Sequence, residues 1–578
     1  MQRLSTILLT VLVLGSGRAV AQPDVAAWTR LVGSNNIDYG YAAAADPAGH
    51  GILAGATQGI LAGGNAGRYD LFVARYDPAG SRLWLVRRGT AERDFAYGTA
   101  ADAAGNIYVT GYTGAALDGQ THLGDWDIFL SRFGPGGNWI WTRQVGTGQK
   151  DEGRAVATDP SGNILMTGYA RGDFHGIPRV GSADVVISKY NTAGTRLWSA
   201  LFGSTEVDES FGIACDGSGN VFVTGWCSGS IDGTPYLGNG DNFLARYSPS
   251  GAQLWVRQWG TVNKDTGYAV AADAAGNVYV CGYTTGSLYG PPLGERDAFL
   301  ARYDAAGNLL WGRQFGTAGH DQAWGLATDA GGNAWVTGQT GGPLDGNPHF
   351  GGLDVFLARY DPQGNRLWTV QYGTEADDWA QGAAAGPDST VFLGGTTAGS
   401  LAGEPNQGLE DAFIMKFVPG PPAPPTDAVA TPPAVCPGSP SVLSATPGAG
   451  GDTVEWFTDG CGVTLVPGGA SPTVSPLVTT TYHARTRKTA GGAVSTTCAT
   501  LTLTVHELVG PDLDRDCDVD RFDFNLLAAC LAEPGTAPAE GCGSADFDGD
   551  NDVDQLDFGL LQRCYSGVGQ LPEPQCDL

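Results

Sequence analysis

Seven tryptophans, Trp28, Trp84, Trp141, Trp198, Trp255, Trp311 and Trp368, follow one another at intervals of 56, 57, 57, 57, 56 and 57 residues. A period this constant means one supersecondary unit repeated, each copy unable to bury its apolar surface alone. The copy from Asp297 to Thr340 shows the unit. Its segments 299–303, 309–315, 325–328 and 334–338 are short, apolar and β-prone, and Gly, Asp and Asn turn signals separate them. Four strands in each of seven copies predict a β-propeller, which closes radially and leaves only short, protected edges. An open β-solenoid has shorter repeats and end caps, and no caps are visible.

The ends of the array argue for closure. Internal copies carry a strand before the tryptophan, such as LFVARYD at 71–77 and NFLARY at 242–247, whereas Trp28 has none. The matching piece, DAFIMKF at 411–417, follows the last full copy. A ring would take one strand of that blade from the N-terminus and three from the C-terminus.

Residues 1–21 combine Arg3, an apolar run from Ile7 to Leu14 and the small-residue site Ala19-Val20-Ala21, the pattern of a secretory signal peptide with the mature chain starting near Gln22. The run is too short to span a bilayer, so we expect an exported protein without a membrane span. With 60 acidic against 32 basic residues the net charge is -28, which argues against nucleic acid or an anionic membrane and for cations as partners.

Comparing the copies shows which positions the fold repeats. Asp38, Asp94, Asp151, Asp208, Asp265, Asp321 and Asp378 lie five residues after the post-tryptophan glycine. Asp70, Asp127, Asp184, Asp241, Asp297, Asp354 and Asp411 open the F-L-A-R-Y-like strand. A metal-holding carboxylate ring is one reading. Sevenfold repetition favours the other, Asp capping a turn through backbone N–H groups. Three residues past the first set stand Tyr41, Tyr97, Arg154, Phe211, Tyr268, Trp324 and Gln381. They read chiefly as blade-to-blade packing, and secondarily as a sugar-stacking platform at the channel mouth, assisted by Trp126, Trp226 and Trp379. Arg171-Gly172-Asp173 falls on a repeated turn and reads as coincidence. The seven histidines are scattered, and no catalytic triad, phosphate loop or zinc pattern is visible. We expect no catalytic residue, although an enzyme is unsupported rather than excluded.

The pattern A-x-D-x-x-G-N-x-Y-V-T-G followed by a D-x-F-L-A-R-Y-like strand is clearest at 101–111, 272–282 and 354–360. With it the array resembles the bacterial seven-bladed β-propeller repeat family of exported proteins. That family has no shared activity, so the resemblance speaks to fold. In the last copy Gly386, Ser389 and Thr390 replace the Asp, Gly and Asn of the pattern.

VPGPPAPPTD, at 418–427, reads as a stiff proline-rich linker, assigned to 419–427. Residues 428–507 alternate like a β-sandwich and, with Cys436, Trp456, Thr479 to Tyr482 and Cys498, resemble bacterial Ig-like modules. Three cysteines, including Cys461, allow three pairings, of which the resemblance favours Cys436 with Cys498.

The tail, 508–578, contains DLDRDCDVDRFD from Asp512 to Asp523 and DFDGDNDVDQLD from Asp546 to Asp557. Each is a 12-residue loop with carboxylates at positions 1, 3, 5, 7, 9 and 12, a spacing that suits calcium, which takes six to eight hard oxygens. Helix-like apolar patterns follow both loops. These duplicated loop–helix units resemble type I dockerin repeats. By that resemblance Asp512, Asp514, Asp516, the Asp518 carbonyl and Asp523 would hold one ion. Asp546, Asp548, Asp550, the Asp552 carbonyl and Asp557 would hold the other, with Asp520 and Asp554 acting through water. The resemblance also implies a cohesin-like or cell-surface protein as partner. Position 6, usually Gly, is Cys517 and Asn551; positions 10 and 11 are Arg521-Phe522 and Gln555-Leu556. Cys530 with Cys542 and Cys564 with Cys576 have equal spacing at equivalent places and are expected to pair. Cys517, Cys215, Cys227 and Cys281 are then the expected leftovers.

The reading is a mainly β, secreted bacterial protein, extracellular or at the cell surface. It comprises a signal peptide, a seven-bladed propeller over 22–418 that offers a face to a glycan or protein, an Ig-like spacer and a calcium-dependent docking tail. An enzyme or accessory protein of polysaccharide breakdown, or an envelope structural protein, would share much of this pattern.

Overall fold

The computed structural model describes residues 24–573 and 576, apart from 65, 232, 274, 330 and 490–492. The proposed signal peptide and its cleavage site lie outside the described residues. Residues from 24 to 419 form one compact unit, and residues from 420 onward belong to another.

In the first unit each copy becomes one antiparallel four-stranded sheet. The first runs Asp38–Ala45, Gly51–Thr57, Asp70–Tyr76 and Arg82–Arg88, from the innermost strand outward. Six sheets are built this way from consecutive strands. The seventh has the order Val25–Val32, Asp411–Val418, Val391–Thr397 and Asp378–Ala385, with Trp28 opposite Lys416 and Leu31 opposite Phe413. The offset seen in the sequence is therefore the closure of the ring. The innermost strand of the first sheet packs on those of both the second and the seventh, so the blades form a circle. Small residues such as Ala42 to Ala45 permit this crowding; a Cβ on Gly382 would collide with the backbone of Ala43.

The middle strands, Gly51–Thr57 and Ile107–Thr113 among them, are buried along their full length, and the outer strands carry the exposed residues. A latch couples neighbouring blades. The indole Nε1 of Trp28, Trp84, Trp141, Trp198, Trp255 and Trp311 donates to a carbonyl of the next blade's outer turn: Pro78, Pro135, Thr192, Pro249, Ala305 and Pro362. The closing blade has no such turn, because its outer strand comes from the N-terminus, and the buried Trp368 Nε1 has no hydrogen-bond partner. At this junction Asp24 accepts from Trp335 Nε1 at 2.9 Å and pairs with Arg359 at 3.4 Å.

In the second unit a three-stranded sheet (Thr426–Thr431, Ser441–Thr446, Thr473–Val474) accompanies a five-stranded one (Ala434–Val435, Ala499–Val505, Thr480–Arg487, Thr453–Thr458, Thr464–Leu465). Trp456, Leu443 and Leu503 are fully buried between them. The first strand begins at Thr426, inside the segment read as linker.

The cysteine pairing corrects the sequence reading. Cys461 bonds Cys498, and Cys436 bonds Cys517, each with Cα atoms 5.7 Å apart. Cys436 follows a strand whose Val435 lies beside Val505. Cys498 precedes the other end of that strand, which at about 3.3 Å per residue is some 20 Å away. Cys436 instead meets the chain leaving the sandwich, so Cys517 is not a leftover. Cys530–Cys542 and Cys564–Cys576 are bonded, and Cys215, Cys227 and Cys281 are free.

Among the described residues the tail holds two α-helices, α1 (Arg521–Cys530) and α2 (Gln555–Cys564), each at the end of an acidic loop. Position 8 of each loop, Val519 and Val553, is fully buried. The exchange between the halves is reciprocal: Ser566 N, after α2, donates to Val519 O, and Ala532 N, after α1, donates to Val553 O, both at 2.9 Å.

Candidate functional site

Each innermost strand carries a β-bulge at the same place. The register shifts between Gly40 and Ala42, Ala96 and Gly98, Gly153 and Ala155, Ser210 and Gly212, Gly267 and Ala269, Ala323 and Gly325, and Ala380 and Gly382. The extra residue in the seven cases is Tyr41, Tyr97, Arg154, Phe211, Tyr268, Trp324 or Gln381. Bulges re-aim side chains, and these seven line one cavity of about 350 Å³ where the blades meet. The expectation of blade-to-blade packing captures only part of their role. They do touch across blades: Tyr41 and Tyr97 ring centroids are 4.9 Å apart, Phe211 and Tyr268 5.3 Å, Tyr268 and Trp324 6.0 Å. Trp126, Trp226 and Trp379 lie outside this lining; Trp126 stacks on Tyr112 under Lys150 instead.

Among the described residues of the lining, Arg154 is the one cation. Its guanidinium stands 4.6 Å from the Tyr97 centroid and 5.4 Å from that of Phe211, and its Nη2 pairs with Glu152 Oε2 at 2.7 Å. Burial alone would lower its pKa, but Glu152, Tyr97, Tyr169 and Glu209 hold it above the usual arginine value. Burial pushes the Tyr97 hydroxyl up to about 12 and those of Tyr41 and Tyr268 higher still, so all three stay protonated at neutral pH. Trp324 Nε1 and Gln381 Oε1 are buried without hydrogen-bond partners. Sequence comparison of the copies contained a signal for this site: the position is variable where its neighbours repeat, and a binding site breaks symmetry.

The two aspartate sets serve the scaffold. Asp151 Oδ2 accepts from Thr147 N at 2.5 Å and Thr147 Oγ1 at 2.9 Å, and Asp208 bonds Ser204 in the same way. In the second set Asp127 accepts from Leu123 N at 2.7 Å and Gln144 Nε2 at 2.8 Å. Turns after the innermost strands frame a wider cavity of about 660 Å³ that includes Asp102. That carboxylate is committed to its own turn, accepting from Ala104 N, Asn106 N, Asn106 Nδ2 and Tyr108 OH at 2.8 to 3.0 Å. Arg171-Gly172-Asp173 is likewise held in place, with Arg171 N bonded to Asp151 and Asp173 accepting from Arg179 N.

In the tail, carboxylate oxygens of Asp512, Asp514 and Asp516 lie within 4.8 Å of one another, as do those of Asp518, Asp520 and Asp523. The second loop groups Asp546, Asp548 and Asp557, and Asp552, Asp554 and Asp557. Asp550 falls outside these groups. Positions 1 and 12 organise the loops: Asp512 accepts from Asp516 N and Cys517 N, and Asp523 from Leu513 N and Asp520 N. Cys517 and Asn551 adopt φ of +70° and +69°, the left-handed turn that position 6 demands. Asp520 and Asp554, expected to act through water, cap α1 and α2 by accepting from Phe522 N and Leu556 N at 2.7 Å. The side chains of Asp518 and Asp552 each leave Oδ1 buried and unpartnered. Desolvation of its carboxyl, then the charges of Asp523 and Asp516, push the exposed Asp514 up to about 6.

Residues 140–175, 197–232 and 254–290 match the family model described as a beta-propeller repeat, SBBP, and residues 422–506 match that of an Ig-like domain, CHU_C associated. The chain carries beta-propeller repeats and an Ig-like domain. Among curated proteins, the uncharacterized WD repeat-containing protein L264 of Acanthamoeba polyphaga mimivirus is 22% identical over 435 residues, covering 57% of this chain and 31% of that protein. Regulatory protein FlaEY of Caulobacter vibrioides is 28% identical over 330 residues, covering 54% of this chain and 29% of that protein. The chain thus spans about a third of the length of these relatives. Among solved structures, Sqt1 from Chaetomium thermophilum overlays with a TM-score of 0.37 at 9% identity, covering 68% of this chain and 100% of that one. A protein of unknown function from Bacteroides caccae overlays at 0.30 and 12% identity, covering 61% and 94%.

Proposed function

We propose that this is a secreted, non-catalytic modular binding protein, in which the propeller presents a binding face to a glycan or protein and the tail docks to a partner. The observation that carries the binding role is the bulge-built axial cavity, where seven equivalent positions supply five different residue types. A propeller joined to an Ig-like domain is consistent with such a role. Four disulfides suit an oxidising, exported location, and no helix among the described residues is long and apolar enough to cross a membrane. The full mature chain, applied to a glycan array and assayed for glycan cleavage, tests this reading. Saturable binding without products is expected; products would contradict the non-catalytic role, and silence would favour an envelope structural protein.

For the tail we propose two calcium sites, held by Asp512, Asp514, Asp516, Asp518 and Asp523, and by Asp546, Asp548, Asp550, Asp552 and Asp557. All of these carboxylates except Asp550 fall in close groups of hard oxygens, and the left-handed backbone at position 6 suits a loop that wraps an ion. Calcium would neutralise carboxylates that otherwise repel one another. The chain's own residues do the rest: Asp520 and Asp554 start the helices, and the paired valines lock the halves. A cohesin-like or cell-surface protein is the partner class.

A further inference from the structure

We propose that the axial cavity is a binding site for a neutral pyranose sugar, an inference that rests on the binding role of the propeller and specifies its ligand. The chemistry of the lining eliminates the alternatives in turn. A cationic ligand would meet the Arg154 guanidinium, which already stands over Tyr97 and Phe211 and leaves only Tyr41, Tyr268 and Trp324 as open rings. An anionic ligand would need surplus positive charge, and Arg154 is matched by Glu152 at 2.7 Å with Glu209 also acting on it. A wholly apolar ligand would leave Trp324 Nε1 and Gln381 Oε1 buried and unsatisfied. A flat heteroaromatic needs two parallel walls, whereas the neighbouring rings stand at 60° to 78° to one another.

What remains is a puckered ring with apolar C–H faces and hydroxyls. Such a ring lies on the aromatic faces, and one hydroxyl can accept from the indole while another donates to the amide oxygen. The three tyrosines, protonated at neutral pH, extend the set of donors. The volume of about 350 Å³ is at the small end of ligand pockets, roughly 300–1,000 Å³, and suits one or two sugar rings. Variation at the bulge position has a purpose on this view, because seven identical side chains could not present a donor, an acceptor and several stacking faces to an asymmetric molecule.

The test is calorimetric titration of the full mature chain with the methyl glycosides of glucose, galactose and mannose, with glucuronate as an anionic control. Binding of at least one neutral glycoside is expected, with affinity reduced tenfold or more in Trp324→Ala and in Gln381→Leu and changed less than twofold in Trp139→Ala, an aromatic on an outer strand. Should Trp324→Ala lower the unfolding midpoint, Gln381→Leu, which keeps the side-chain bulk, decides. Affinity unchanged in both variants, preference for glucuronate, or no glycoside binding would overturn the proposal. If an array ligand is found and both variants still bind it, the propeller is a binding module and only the axial site falls; if the array is silent too, both fall.

Discussion

At the scale of single residues, the repeat is governed by buried carboxylates that face each other across a glycine. Asp184 and Asp208 are fully buried, and a Cβ on Gly203 would sit 2.6 Å from Asp184 Oδ1 and 2.7 Å from Asp208 Oδ2. Gly203→Ala is therefore expected to cost about 1–3 kcal/mol in denaturant unfolding of the propeller, while Gly148→Ala, with nothing within 4 Å, should be close to neutral. The same pairing has a pH signature. Burial raises Asp151, Asp208 and Asp411 to about 6, and a nearby carboxylate (Asp127, Asp184 and Asp38 respectively) adds to it. A raised pKa means that the folded state keeps a proton the unfolded chain has released. The stability these groups contribute is fully present below the unfolded value near 3.8 and is lost as pH rises through about 6. Asp46, Asp159 and Asp273 act oppositely: burial raises them, but hydrogen bonds and their Arg or Lys partners lower them further, so their contribution is lost only as pH falls below the usual carboxylate value. The propeller's unfolding midpoint should thus be higher at pH 5 than at pH 7.5, and the difference should shrink in Asp208→Asn.

At the scale of elements, closure depends on an N-terminal strand that makes its own latch through Trp28 but has no preceding turn to accept from Trp368. Asp24 answers for this by engaging Trp335, which is fully buried, and Arg359. Asp24→Ala should cost roughly 1–3 kcal/mol by orphaning the indole N–H, with Asp24→Asn retaining part of the loss, as read by denaturant melts. The offset strand was legible because a missing segment before Trp28 and a surplus one at 411–417 can be counted. The bulge was not, since one extra residue leaves no break in the pattern of a short innermost strand rich in small side chains. Without the bulge, Tyr41 and its equivalents read chiefly as packing, and a stacking platform at the channel mouth comes only second. The turn-capping role of the aspartates could be read from their sevenfold repetition alone. The pairing of Cys436 could not, because it depends on the parallel register of Val435 with Val505, a long-range choice that cysteine spacing does not encode.

At the scale of the whole molecule, the two compact units differ in covalent chemistry. All four disulfides lie beyond residue 420, and the propeller's Cys215, Cys227 and Cys281 are free. Reductant should leave the propeller's unfolding transition in place and lower that of the second unit. Opening Cys461–Cys498, whose ends are 37 positions apart in sequence, should cost about 2–4 kcal/mol. The Cys436–Cys517 bond ties the first acidic loop to the sandwich. Whether the protein belongs to an assembly turns on those loops. Calorimetric titration of the full mature chain with calcium, beside Asp512→Ala and Asp546→Ala, is the most direct test. The account predicts two ions per chain, one lost in each variant; no calcium binding, or a stoichiometry that neither substitution changes, would contradict it.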